Sequence, residues 1–289
     1  MNTVAQIEIF EVGPRDGLQN EPRDIPVRDK IALVDVLSKS GLRRIECASF
    51  VSPKWVPQMA GSGEVLMGLT RSPKVRYCAL IPNLRGLEAA IAAGADEVAV
   101  FASASEGFSQ ANINASIAQS LDRYRDVVAA ANQAGLRVRG YVSCVVHCAF
   151  DGPTDPAQVA AVTGQLLAMG CCEISLGDTT GAGTPDTITD MLAHTLNEAP
   201  AEVLAGHYHD TGGRALSNID ASVEMGVRVF DASVGGLGGC PYAPGASGNV
   251  ATEAVVRHLH AQGHETGLDL AVIDKAAELA RMMQGDFDV

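Results

Sequence analysis

Positive charge is scarce. The 289-residue chain carries 21 Lys and Arg against 34 Asp and Glu, a net charge of -13. That balance argues against a nucleic-acid or anionic-membrane surface, since both need a basic face. It leaves room for an anionic small substrate, which needs only a local cation. No run of about 18 uncharged apolar residues occurs, so no segment is expected to span a membrane. The opening residues, MNTVAQIEIFEVGPRDG, lack a basic start leading into an apolar stretch, and a cytoplasmic protein is expected. The 7 cysteines are odd in number and include no CxxC, which reads as reduced thiols in a cytosol-like compartment. No linker or low-complexity segment divides the chain. At 47% hydrophobic and 4% aromatic, the composition is globular.

Short apolar β-branched runs alternate with helical patterns. Strands are expected at 6–12, 43–48, 74–80, 97–102, 137–145, 172–177, 203–209 and 227–234. Helices are expected at 28–40, 83–93, 112–134, 155–169, 184–198, 212–225, 252–261 and 269–284. SGLRRIE, AGADEVAV, AGLRVRG, MGCCEIS and MGVRVFD each place Gly just before a strand, where it can take the left-handed conformation that ends a helix. The alternation reads as an α/β protein, a (β/α)8 TIM barrel. A doubly wound sheet also alternates, but no GxGxxG opens the first helix. One catalytic domain is expected over 1–289, with 264–289 a C-terminal helical extension.

Such a barrel keeps its chemistry at the C-terminal ends of its strands. Arg15, Asp16 and Gln19 follow the first strand, and Glu46 ends the second. Tyr141, Ser143 and Cys144 end the fifth, and Asp178 follows the sixth. His207, His209 and Asp210 end the seventh, while Cys240 and Asn249 lie in the loop after the eighth. All fall on one rim.

His207 and His209, two apart on a strand, point to one face. With an Asp carboxylate and an Asn carbonyl they make a mixed N/O set suited to Mg²⁺ or Mn²⁺. The alternative is a pair of hydrogen-bonded interior histidines. Arg15 can donate a fork of hydrogen bonds to a developing oxyanion, with Asp16 on the metal. Cys240 stands in the glycine-dense GGLGGCPYAPGASGN, where a thiol on a mobile loop can move a proton. Glu46 reads equally as a partner orienting Arg15 or as a direct participant. Asp178 reads as an outer support or a contact to a substrate hydroxyl. Trp55, in SPKWVPQM, shapes a ligand loop or packs a corner. Cys144, His147 and Cys148 lack a fourth ligand for a metal knuckle.

EVGPRDGLQNE, SFVSPKWVPQM, RGYVSC, SLGDTTGAGTP, HYHDTGGRALSN and GLGGCPYAPGASGNVATE resemble the 3-hydroxy-3-methylglutaryl-CoA lyase family over about residues 6 to 262. The resemblance implies cleavage of that acyl-CoA to acetyl-CoA and acetoacetate, in a homo-oligomer, the chemistry of leucine degradation and ketone-body formation. Carried over by position, Asp16, His207, His209 and Asn249 match metal ligands. Arg15, Asp16, His207 and Cys240 match the catalytic set, with Asp16 or His207 as the base. Arg15, Gln19, Glu46, Tyr141 and Asp178 match substrate-binding positions. Departures from the family pattern at His147, Ala149, Phe150, Gly212, Arg214 and Pro244 fall on the rim. They make a lyase for a related 3-hydroxy-3-substituted glutaryl-CoA the main alternative. A Claisen-type acyl-CoA synthase is a more distant one, since such enzymes lack the GGLGGCPYAPGASGN loop.

Overall fold

The computed structural model describes residues 6–238 and 248–284. Eight parallel strands close into a barrel: β1 (Glu8–Glu11), β2 (Arg44–Ser49), β3 (Arg76–Leu80), β4 (Glu97–Ser103), β5 (Arg137–Ser143), β6 (Glu173–Asp178), β7 (Leu204–Tyr208) and β8 (Val229–Ala232). Neighbours in sequence are neighbours in the sheet, and β8 closes on β1 with Glu8 beside Val229 and Glu11 beside Ala232. Each strand coincides with an expected one. The glycines of the five turn signals, Gly41, Gly94, Gly135, Gly170 and Gly226, all have φ between 77° and 108°.

The outer layer is helical: α1 (Val27–Leu37), α2 (Ser62–Gly68), α3 (Leu84–Ala92), α4 (Glu106–Ile113), α5 (Ile117–Gln133), α6 (Pro156–Met169), α7 (Pro185–Thr195), α8 (Ala215–Glu224), α9 (Thr252–Ala261) and α10 (Leu270–Gln284). Their starts are fixed chemically. Asn83 accepts from the Gly86 N–H at 2.9 Å, and Ser116 with Gln119 and Thr184 with Thr187 form reciprocal caps. α10 packs its apolar face, Ile273, Ala276, Ala277 and Ala280, over the barrel beside α1 and α9.

One expectation is corrected, and one helix lies where none was expected. Residues 112–134 are not one helix: Asn114 takes φ 49°, left-handed, which ends α4 and lets Ser116 start α5. α2 lies in GSGEVLMG, where three glycines within eight residues hide an amphipathic turn that buries Val65 and Leu66. A short antiparallel hairpin, 147–148 with 152–153, follows β5. Among the described residues no helix is long and apolar enough to cross a membrane.

The barrel interior is charged. Arg44 reaches Glu8 (2.7 Å), Glu97 (3.3 Å) and Glu173 (2.8 Å) near the N-terminal end. Further up, Arg139 bonds Glu173 at 2.7 Å and both oxygens of Asp231 at 2.6 and 2.9 Å. Its guanidinium lies between the rings of Phe10 (4.1 Å) and Tyr141 (4.9 Å). Burial pushes the Glu173 carboxyl up, but Arg139 and Arg44 outweigh this and hold it below its usual range.

Arg44→Leu removes one member of this network and leaves buried carboxylates unpaired. A loss of about 3–5 kcal/mol is expected in urea unfolding near neutral pH. The sign with pH follows from Glu173. Its depressed carboxyl stabilises the fold above its unfolded pKa and ceases to as pH falls through the folded one. Without Arg44 that carboxyl protonates more readily, so the gap between variant and parent should narrow as pH falls. A gap that stays constant with pH would contradict the assignment.

Candidate active site

The site grows from the C-terminal end of β1. After Val12 the chain makes a wide turn over Gly13–Gly17, with the N–H groups of Arg15, Asp16 and Gly17 all directed at the Val12 carbonyl. That turn sets Arg15 and Asp16 side by side over the barrel axis. Gly17 is required by close approach: a Cβ there would lie 2.5 Å from Leu237 Cβ. Glu11 fastens the turn from below. Its carboxylate accepts from Gly13 N (2.8 Å), Val234 N (2.9 Å) and Thr252 Oγ1 (2.6 Å), tying the first strand to the loop after β8. Burial pushes that carboxyl up to about 7 against the pull of these donors.

Arg15 is buried and doubly paired. It donates to Glu46 Oε2 through Nε at 2.6 Å, and Nη1 reaches Asp16 Oδ1 at 2.6 Å. Burial alone would lower its pKa, but Glu46 and then Asp16 raise it, so the guanidinium stays charged. Glu46 also accepts from the Tyr141 hydroxyl at 3.0 Å, and that hydroxyl in turn accepts from Arg139.

Asp16 Oδ1 further accepts from Gln19 Nε2 at 3.0 Å; Oδ2 accepts from Asn249 Nδ2 at 2.8 Å and lies 4.0 Å from His207 Nε2. Burial raises the Asp16 carboxyl, yet Arg15 and His207 hold it below its usual value. His207 Nδ1 bonds Asp231 Oδ2 at 3.0 Å, and Asp231 is braced by Arg139 and by Ser175 Oγ at 2.8 Å. Burial lowers the His207 pKa, but Asp231 outweighs it and raises it. His209 has no such support. Burial and then His207 push it down to about 4, so it is neutral.

The donor atoms of Asp16, His207 and His209 lie within 4.8 Å of one another. His209 Nδ1 is buried with no hydrogen-bond partner. An orphaned imidazole nitrogen beside a carboxylate and a second imidazole fits a cation: it supplies the partner that the fold withholds. Asn249 joins this group because His209 and Asn249 pair as an isolated backbone bridge. Asp231 was not singled out in the sequence, where VFDASV reads as an ordinary core strand. It holds His207 in the tautomer whose Nε2 lone pair faces Asp16. Its only sequence signal was an acidic residue at an interior position of an apolar strand.

A cleft of about 1160 Å³ opens over the site, lined by Arg15, Asp16, Gln19, Tyr141, His207 and His209 among others. Trp55 lines the same cleft and is 84% exposed, which rules out the packed corner. Glu46 and Asp178, expected among substrate contacts, do not reach the cleft. Glu46 is fully buried beneath Arg15. Asp178 turns into its own loop, where Oδ2 accepts from Gly183 N at 2.8 Å. Cys240 lies outside the described residues.

Fold and site together define a class: a (β/α)8 barrel with a carboxylate–imidazole cluster at its C-terminal rim that could hold a metal ion. The chain belongs to the HMGL-like family, whose model matches residues 6–280. A Pseudomonas aeruginosa relative, 3-hydroxy-3-isohexenylglutaryl-CoA/hydroxy-methylglutaryl-CoA lyase, is 55% identical over 284 residues, covering 98% of this chain and 95% of that protein. The Brucella melitensis HMG-CoA lyase structure superposes with a TM-score of 0.96 at 60% identity, covering 97% of this chain and 99% of that one. The Acinetobacter baumannii HMG-CoA lyase, solved with coenzyme A and 3-methylmalate, gives 0.93 at 38% identity, covering 99% and 93%.

Asp231→Asn keeps the shape but withdraws the charge behind His207. Manganese affinity by calorimetry should fall about 10–100-fold, the usual effect of losing such a support. Since His207 must give up a proton to bind, affinity in the parent should rise with pH. That rise should flatten in the variant, where His207 loses its raised pKa.

Proposed function

We propose that this protein is a divalent-metal-dependent carbon–carbon lyase that cleaves 3-hydroxy-3-methylglutaryl-CoA to acetyl-CoA and acetoacetate. The observation that carries the reading is a buried guanidinium set beside a carboxylate and two imidazoles whose donor atoms converge closely enough to hold one cation. The reaction needs that combination: a base for a tertiary hydroxyl and a positive group for the thioester oxygen.

Asp16, His207, His209 and Asn249 would hold Mg²⁺ or Mn²⁺. When bound, the ion supplies a Lewis acid that lowers the pKa of the substrate hydroxyl and fixes the adjoining carboxylate. Of the two candidate bases, geometry favours Asp16. His207 has committed Nδ1 to Asp231, so its one remaining lone pair, on Nε2, cannot both ligate and take a proton. Asp16 has two carboxylate oxygens to divide between the two tasks, Oδ1 now accepting from Arg15 and Gln19 and Oδ2 from Asn249. The hydroxyl proton passes to Asp16, the C2–C3 bond breaks, and its electrons move into the thioester as an enolate. Arg15 faces the oxygen where that charge develops, and Glu46 and Tyr141 hold it there. Cys240 returns a proton to C2, which balances the one taken from the hydroxyl. The acyl-CoA lies along the cleft, and the enzyme is taken as a cytoplasmic homo-oligomer.

A second reading widens the substrate. Leu80, Phe101, Val51 and the Tyr141 ring make an apolar wall on one side of the cleft, suited to a longer C3 group. The dual naming of the Pseudomonas aeruginosa relative favours the same breadth.

Acetyl-CoA release from 3-hydroxy-3-methylglutaryl-CoA should be seen with Mg²⁺ or Mn²⁺ and vanish with EDTA. Arg15→Met should lower kcat by about 10²–10³, the usual effect of removing one oxyanion donor. Its effect on KM should be smaller. Lack of turnover in the metal-loaded protein would overturn the reading for this substrate. A panel of 3-alkyl and 3-alkenyl analogues then tests the apolar wall, with Leu80→Trp expected to penalise long substituents more than methyl.

A further inference from the structure

Beyond the residues that line the cleft, one arginine is spent entirely on backbone. Arg214 stands at the start of α8, in the turn that follows His209. Its Nε donates to the Gly183 carbonyl at 2.9 Å, and its Nη2 reaches the Gly181 and Ala182 carbonyls at 3.3 and 3.4 Å. Three successive carbonyls of the loop after β6 thus converge on one planar donor. A guanidinium offers that fork of donors and an ammonium does not. The loop is held from its other side as well. Asp178 Oδ2 accepts from Gly183 N at 2.8 Å, and Asn218 Nδ2 donates to the Gly183 carbonyl at 3.2 Å. A carboxylate takes the N–H on one side while a guanidinium takes the C=O groups on the other.

Two glycines are dictated by this clamp. A Cβ on Gly212 would lie 2.5 Å from Arg214 Nη2 and 2.8 Å from the Gly181 carbonyl oxygen. Gly181 has φ 64°, and a Cβ there would lie 2.9 Å from the His209 carbonyl oxygen and 2.8 Å from Thr211 Cβ. The clamped loop therefore presses on the stretch of backbone that carries His209. The Asp178 carbonyl ties the two together, accepting from the Gly181 N–H at 3.1 Å and from the His209 N–H at 3.4 Å.

His209 needs such backing. The His207 ring is oriented by its bond to Asp231, whereas His209 Nδ1 is buried without a hydrogen-bond partner. Where no hydrogen bond aims a ring, the placement of its backbone does. That backbone is held by the bridge to Asn249 and by the clamped loop.

We propose that Arg214 is a positioning residue: by clamping the 181–183 loop against the His209 backbone, it sets the second imidazole of the metal site. The proposal rests on the reading of Asp16, His207 and His209 as that site. Arg214 acts through the loop and does not itself line the cleft. Its charge works the other way, since one cation repels another. Position and charge therefore predict opposite signs: losing the clamp weakens metal binding, whereas losing the charge alone strengthens it.

The test titrates Mn²⁺ into the metal-stripped parent, Arg214→Ala and Arg214→Gln by calorimetry. In Arg214→Ala the affinity should fall about 10-fold, the lower end of what losing an outer support costs. Arg214→Gln, whose amide still donates to one carbonyl, should fall between the two. Pulsed electron paramagnetic resonance of the bound Mn²⁺ should show two imidazole nitrogens in the parent and a weakened second coupling in Arg214→Ala. An unchanged or raised affinity in Arg214→Ala, with both couplings intact, would overturn the proposal and leave the metal site standing. A parent that binds no Mn²⁺ would overturn both. Should Arg214→Ala fail to fold, Arg214→Gln decides: an affinity at or above the parent's overturns the proposal.

Discussion

The buried ion pair between Arg139 and Asp231 is the contact on which the site depends. It lies at the barrel axis, with Arg139 fully enclosed and bonded to both oxygens of Asp231. A charge there is costly unless every donor finds a partner. Glu173 and the Tyr141 hydroxyl take the remaining donors, and the Phe10 and Tyr141 rings cover the faces. Each of those partners then reaches further. Glu173 leads to Arg44, Tyr141 to Glu46 and Arg15, and Asp231 to His207. The barrel is filled by a connected set of charges rather than by aliphatic layers, and its upper members face the cleft. Changing one charge alters the reference position of its neighbours, so structure and chemistry share the same residues.

This arrangement explains why the site is rigid although it stands on loops. Arg15 and Asp16 lie beyond the end of β1, in a turn that no ladder holds. They are fixed from three sides: by the Val12 carbonyl, by Glu46 and Asn249, and by the Gly17 backbone pressed to Leu237. Glu11 joins that turn to Val234 and Thr252, so the first strand and the loop after the last one move as a unit. A barrel closed between β1 and β8 brings these segments together, though they are more than two hundred residues apart in sequence.

Strand positions were legible because apolar runs alternate with helical patterns and five of the eight follow a glycine that ends a helix, and the C-terminal rim because its polar residues cluster after strand ends. What stayed hidden follows a common cause. Arg44, Arg139, Glu173 and Asp231 sit inside β-branched runs, where periodicity reports burial and says nothing of charge pairing across the axis. Asp231 supports His207 from the neighbouring strand, a relation that register creates and local sequence does not encode. Glu46 and Asp178 were legible both as substrate contacts and as supports, and the local sequence does not choose between the two. One residue of rotation on a strand or loop separates a substrate contact from a brace. α2 and α4 were lost because glycines and an asparagine interrupt patterns too short to be periodic.

Charge bookkeeping in the cleft explains why an acidic protein can hold an anionic substrate. Arg139 balances Asp231, and Arg15 faces both Glu46 and Asp16. His209 is neutral. With Glu46 and Asp16 ionised and His207 deprotonated to ligate, the group around Arg15 carries an excess of one negative charge, and a glutaryl-type substrate brings another on its free carboxylate. Two negative charges in a partly desolvated cleft repel by several kcal/mol at an effective dielectric near 20. A divalent cation placed among Asp16, His207 and His209 cancels both. A monovalent cation, or another arginine, would leave one uncompensated. The donor set, the orphaned nitrogen of His209 and the sign of the substrate thus call for the same partner, and Arg15 remains free to meet the charge that forms only in the transition state.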